Sequence, residues 1–145
     1  MTAITTGPTR DTGLDVAAGA APGDSLLRFA LRADATLCAG FGLLIAMAAD
    51  PLSRLSGLSS TSEWISGAAL VVYGATGYLL AGVRDVRHIG TGVLAGNIVF
   101  AVLVTVVLVA GWLPLTELGA VSIIAFTVVT LAFAYVQYLG VRRLT

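Results

Sequence analysis

The chain has 145 residues, of which 57% are hydrophobic and 11% charged, and its mean hydropathy is +0.95. Soluble domains are typically about 45–50% apolar and about 25% charged, and a soluble protein this small could not bury so much apolar surface in one core. The formal net charge is zero, which argues against nucleic acid as a partner.

The composition of residues 1–24 predicts that this segment is a disordered cytoplasmic tail. Gly, Pro, Thr, Ala and Asp dominate it, and its apolar residues show no period. It contains no apolar stretch of the kind that a signal peptide requires. The remainder, residues 25–145, predicts a single transmembrane domain.

Four apolar segments follow the tail, at about 33–49, 64–83, 89–112 and 118–140. Each is close to the roughly 20 residues with which a helix crosses about 30 Å of hydrocarbon, and a helix satisfies its own backbone in lipid. The segments are too long and too uniformly apolar for barrel strands. The pattern therefore predicts an all-α fold, a transmembrane four-helix bundle. The bias towards Ala, Gly, Val and Arg is typical of a bacterial protein. Together with the predicted spans, it leads us to expect a protein of the bacterial plasma membrane.

Local signals predict where these helices begin and end. Asp50-Pro51 ends the first span, because proline cannot continue a helix, while Ser62 and Thr116 are candidate caps for the second and fourth. An alternative is that Ala46-Met47-Ala48 is a signal-peptidase site. The long leading tail argues against cleavage, which would leave three spans.

The arginines predict the orientation. Seven of the eight basic residues fall before the first span, between the second and third, or after the fourth: Arg10, Arg28, Arg32, Arg84, Arg87, Arg142 and Arg143. Only Arg54 lies on the other side. Because basic residues stay in the cytoplasm, both termini are expected there.

Polar residues inside the spans are the candidate functional residues. Arg32 and Asp34 stand at the predicted entrance of the first helix, where Asp34 would benefit from the helix dipole. Asn97 and Gln137 fall at a similar depth. Together the four could line a polar pocket facing the cytoplasm. The alternative, which we favour, is that they are interhelical hydrogen bonds worth about 0.6 kcal/mol each.

Residue spacing predicts which helix faces pack. Thr127, Thr130, Ala134 and Gln137 share one face of the last helix and should point into the bundle. Gly92 and Gly96 form a GxxxG pattern, which allows helices to approach closely.

No sequence pattern indicates catalysis, a cofactor or a metal. There is no G-x-S-x-G, H-E-x-x-H or dinucleotide fingerprint. Cys38 is the single cysteine and His88 the single histidine, too few for a cysteine or histidine metal cluster. The sequence therefore does not predict an enzyme.

The chain resembles a broad group of small bacterial four-span proteins known only as hypothetical integral membrane proteins. The matching stretches are L-R-A-D at 31–34, VVYGATGYLLAG at 71–82, Asn97, L-T-E-L-G at 115–119 and V-Q-Y-L-G-V-R-R at 136–143. The resemblance implies the four-helix topology and no particular activity.

Two functions are compatible with these features. The first is a non-enzymatic structural or accessory subunit that binds membrane lipids, other membrane proteins or a second copy of itself. The second is a small transporter with its polar site at Asp34, Asn97 and Gln137. Small multidrug exporters use an acidic residue in their first helix, and Asp34 is the candidate here, although its predicted position is shallow.

Overall fold

The structure, a computed structural model, describes residues 22–144 and contains five α-helices in that range. They are α1 (Pro22–Met47), α2 (Ala49–Ser56), α3 (Ser60–Leu80), α4 (Val86–Ala110) and α5 (Glu117–Arg142). The prediction of an all-α fold is confirmed. The predicted tail lies outside the described residues except for its last three positions, where α1 has already begun.

Three of the helices are long and apolar enough to cross a membrane: α1 from Asp24, α4 and α5. Their large apolar side chains face outwards rather than into a core; Val109 on α4, for example, is 84% exposed. Such extensive apolar exposure is unfavourable in water. The chain is therefore a helical membrane protein. α3 falls outside this group because Ser60, Thr61, Ser62 and Glu63 make its first turn polar.

α1 begins eleven residues earlier than the predicted start at 33. The break after it comes from Pro51, which has no N–H to donate to the carbonyl of Met47 four residues back. The helix is interrupted at Ala48, where φ is −105° and ψ is 23°. It then resumes as α2, with Pro51 tolerated in its first turn. The predicted end of the first span is thus a kink followed by a short helix.

α1 is the central helix: its largest interface is with α3, and it also contacts α4 and α5. Glycine makes the α1–α3 approach possible. A Cβ placed on Gly74 would lie 2.4 Å from the carbonyl oxygen of Ala35, and one on Gly67 would lie 2.6 Å from that of Gly42. Without side chains at these positions, the two backbones approach directly.

The predicted role of Gly92 and Gly96 in packing is wrong within the described chain. A Cβ on either residue meets no atom within 4 Å, since both lie on the outer face of α4. The glycine of α4 that does pack is Gly90, where an added Cβ would lie 2.8 Å from the buried side chain of Leu27. On α5, a Cβ added to Gly140 would lie 3.0 Å from Leu27, so this glycine also packs against Leu27.

Arg28 ties α1 to the end of α3. Its guanidinium Nη1 donates to the carbonyls of Ala81 at 2.8 Å and Val83 at 2.9 Å, while Nε pairs with Asp24 at 3.0 Å. These bonds satisfy carbonyls that a helix end leaves without partners. We call this side of the molecule the arginine-rich end; it contains the start of α1, the α3–α4 turn and the end of α5.

At the opposite end, Thr116 joins α2 to α5. As predicted, its hydroxyl caps α5, accepting from the Gly119 amide at 3.0 Å. It also donates to the carbonyl of Leu55, and the Thr116 amide donates to that of Ser56 at 2.9 Å. The cap of α3 is Ser59 rather than Ser62; its hydroxyl accepts from the Ser62 amide at 3.1 Å.

Candidate functional site

Asp34 lies well inside α1 rather than at its entrance. The helix begins at Pro22, twelve positions earlier, so the helix dipole gives Asp34 no special stabilisation. Asp34 follows Arg28 by six positions, a rise of about 9 Å along the helix. The side chain is 3% exposed. The predicted entrance position is therefore wrong, because the apolar pattern did not reveal the first eleven residues of the helix.

Asp34, Asn97 and Gln137 converge from α1, α4 and α5. Oδ2 of Asp34 accepts from Nδ2 of Asn97 at 3.2 Å and from Nε2 of Gln137 at 3.0 Å. Nδ2 of Asn97 also donates to Oε1 of Gln137, at 3.2 Å. All three side chains are buried, and Gln137 is completely so. The predicted inward-facing side of α5 is also confirmed, because Thr127, Thr130 and Ala134 are buried along the same face as Gln137.

Two further side chains extend this cluster. The hydroxyl of Tyr73 on α3 donates to Oδ1 of Asn97 at 3.0 Å, and the thiol of Cys38 lies 3.8 Å from Oδ1 of Asp34. We call Asp34, Cys38, Tyr73, Asn97 and Gln137 the polar network. It connects all four long helices. Tyr73 was not among the residues expected from the sequence, although it directly precedes Gly74, the glycine of α3 that lies against Ala35 and Ala39 of α1.

Asn97 is the centre of the polar network. Both hydrogens of its amide nitrogen have acceptors, and its oxygen has a donor. Among the described residues, no buried side-chain nitrogen or oxygen lacks a hydrogen-bond partner. These side chains contact one another directly. The arrangement therefore meets the requirement that polar groups buried in apolar surroundings be hydrogen-bonded.

Arg32 does not join the network. It is exposed on the opposite side of α1, where its guanidinium carbon lies 5.8 Å from the centre of the Tyr78 ring. This is within the range of a cation–π contact. Successive helical positions point about 100° apart, so Arg32 and Asp34 face different directions. Of the four candidate residues, the structure brings three together and separates Arg32.

The described residues offer no group of three His, Cys, Asp or Glu side chains placed to hold a metal ion. His88 lies in an exposed pair with Asp85, with Nδ1 and Oδ2 2.7 Å apart. Arg28 forms a salt bridge with Asp24. Asp34 is therefore held by amide donors and a thiol, not by an arginine.

Comparison of the chain with protein families, curated proteins and solved structures found no match. The resemblance to small four-span bacterial membrane proteins accordingly stays a prediction.

Proposed function

We propose that this protein is a non-enzymatic accessory subunit of a bacterial plasma membrane, which crosses the bilayer four times and associates with other membrane proteins. One observation carries this proposal: the buried side chains of Asp34, Asn97 and Gln137 hydrogen-bond to one another across α1, α4 and α5, and the partly exposed Tyr73 adds a bond from α3. Because the side chains of the polar network hydrogen-bond directly to one another, they fix how the helices pack. The network presents no vacant set of donors and acceptors to a substrate.

The proposed fourth span is α3. Its 21 residues extend about 31 Å, enough to cross the hydrocarbon, and it lies along α1 over the largest interface in the molecule. Its least favourable residue for a membrane is Glu63. That carboxylate accepts from the hydroxyl of Ser56 at the end of the molecule away from most of the arginines, a position near the headgroups.

Both termini are proposed to lie in the cytoplasm. The arginine-rich end contains Arg28, Arg84, Arg87, Arg142 and Arg143, whereas Arg54 lies on α2 at the opposite end. The positive-inside rule places the arginine-rich end inside. An even number of spans then returns the chain to the side from which it started.

The outward surface supports association within the membrane. The outer face of α4 carries Gly92 and Gly96 with nothing packed against them, and small residues allow close helix contact in lipid. Purification in several mild detergents, with mass measured by light scattering, tests the proposal. A discrete complex with a fixed ratio of a second membrane protein, or of a second copy, is expected. A bare monomer in every detergent and in nanodiscs would contradict it.

The alternative function is a small transporter that uses Asp34, Asn97 and Gln137. The observation that favours it is a buried carboxyl group with no arginine partner, because ionisable residues inside membranes commonly mark ion or substrate pathways. Uptake of toxic organic cations into proteoliposomes, for the natural chain and for Asp34→Asn, distinguishes the two. The accessory role predicts no uptake above empty liposomes. Uptake by the natural chain that disappears in Asp34→Asn, but not in Asp50→Asn, would establish the transporter.

A further inference from the structure

A surface groove lies between α1 and α3 at the arginine-rich end. It has a volume of about 380 Å³ and is lined by Phe29, Arg32, Ala33, Thr36, Leu37 and Tyr78. It lies on the side of α1 that faces away from the polar network. Phe29 and Tyr78 are 69% and 51% exposed, so the groove is open to whatever surrounds the protein at this level.

The groove changes character along α1. The upper part, nearest the arginine-rich end, is formed by Phe29, Arg32 and Tyr78. Ala33, Thr36 and Leu37 extend the groove by about one helical turn towards the middle of the bilayer. The hydroxyl of Thr36 donates to the Arg32 carbonyl at 2.7 Å. Since that hydroxyl is already bonded within its own helix, the lower part offers an apolar surface.

Arg32 supplies a positive charge that no carboxylate in the described part of the chain neutralises. Two nearby carboxylates are engaged elsewhere, Asp24 by Arg28 and Asp85 by His88. The contact with the Tyr78 ring holds the guanidinium over the groove without cancelling its charge. An arginine presents several hydrogen-bond donors in a geometry that matches phosphate oxygens.

We propose that this groove binds one anionic phospholipid from the leaflet at the arginine-rich end. The lipid phosphate contacts Arg32, and one acyl chain lies along Ala33, Thr36 and Leu37. Along the membrane normal, a phospholipid has a charged headgroup followed by an apolar acyl chain. The groove has the matching order, with the charge of Arg32 followed by an apolar surface. The proposal rests on the membrane insertion proposed above, and it is independent of any protein partner.

Native mass spectrometry of the full chain in detergent tests this site with two probes, phosphatidylglycerol and phosphatidylcholine with identical acyl chains. The natural chain should bind phosphatidylglycerol at a roughly fivefold lower lipid concentration than phosphatidylcholine. This is the factor expected for one arginine near a membrane surface. Arg32→Gln should reduce this preference to less than twofold. Arg32→Lys keeps the charge and should retain much of the preference.

Arg87→Gln is the matched control, because it removes one exposed arginine from the same end but outside the groove. It should keep the natural preference. Equal binding of the two lipids, an unchanged preference in Arg32→Gln, or an equal loss in Arg87→Gln would overturn the proposal. Displacement of the lipid by inorganic phosphate at a concentration equal to that of the lipid would also overturn it, because this would indicate a site for soluble anions.

The lipid site and the accessory role can fail separately. A chain that stays monomeric yet keeps the Arg32-dependent lipid preference would contradict the accessory role alone. A chain that forms a stoichiometric complex without that preference would contradict the lipid site alone.

Discussion

The amide nitrogen of Asn97 lies 3.2 Å from the carboxylate oxygen Oδ2 of Asp34, although 63 positions separate the two residues in the chain. This bond joins α4 to the central helix α1, whose direct contact with α4 is otherwise limited. Asn97 also bonds to Gln137 and Tyr73. The side chain of Asn97 therefore holds α1, α3 and α5 in position relative to α4.

Replacing Asn97 with Leu should destabilise the protein more than any other single change in the polar network. The substitution leaves Asp34, Gln137 and Tyr73 each short of a partner, and a buried polar group without one costs about 1–3 kcal/mol. Thermal unfolding in one detergent, followed by circular dichroism, measures the effect. Thr105→Val on the same helix is the control, because that hydroxyl bonds only to the Ala101 carbonyl one turn back.

The double variant Asn97→Leu with Gln137→Leu should be less destabilised than the sum of the two single changes, since the two amides share a bond. Simple additivity would mean that the two residues act independently, contrary to the network described here.

Gly74→Ala should disrupt the α1–α3 interface. The new methyl group would lie 2.4 Å from the Ala35 carbonyl oxygen and 2.6 Å from the Ala39 amide nitrogen, so the helices must move apart. Gly92→Ala makes the same chemical change where nothing lies within 4 Å. It should leave the unfolding temperature unchanged or raise it, because alanine is favoured over glycine in a helix by about 1 kcal/mol. Equal effects of the two substitutions on unfolding would argue against the close approach.

Thr116→Val should loosen the junction of α2 and α5. It removes the cap of α5 and the bond to the Leu55 carbonyl together, and loss of a cap alone costs about 0.5–2 kcal/mol. Thr116→Ser retains the hydroxyl and should behave like the natural protein. Amide hydrogen exchange in the first turn of α5 reports the change most locally. Equal protection of that turn in the Val and Ser variants would show that the hydroxyl is not needed.

The sequence allowed the membrane class, the approximate position of each long helix and the burial of Asn97 and Gln137 to be predicted. It did not locate the start of α1, because Asp24, Arg28 and Arg32 interrupt the apolar pattern. Arg28 is accommodated by carbonyls of the α3–α4 turn, a tertiary contact that no local signal reveals. Periodicity also could not identify which glycines face a neighbour. Gly92 and Gly96 match a packing motif and lie outside, whereas Gly74 belongs to no such pair and lies directly against the backbone of α1.

The number and direction of the spans are tested most directly by labelling single cysteines with a membrane-impermeant maleimide, in a Cys38→Ser background. Cysteines at Thr61 and Trp112 report on one side of the proposed topology, and cysteines at Arg84 and Arg143 on the other. All four positions are exposed. Four spans predict that Thr61→Cys and Trp112→Cys are labelled in intact cells, and that Arg84→Cys and Arg143→Cys are labelled only after the membrane is permeabilised. Labelling of Arg143→Cys in intact cells, or of Thr61→Cys and Arg84→Cys from the same side, would contradict the account.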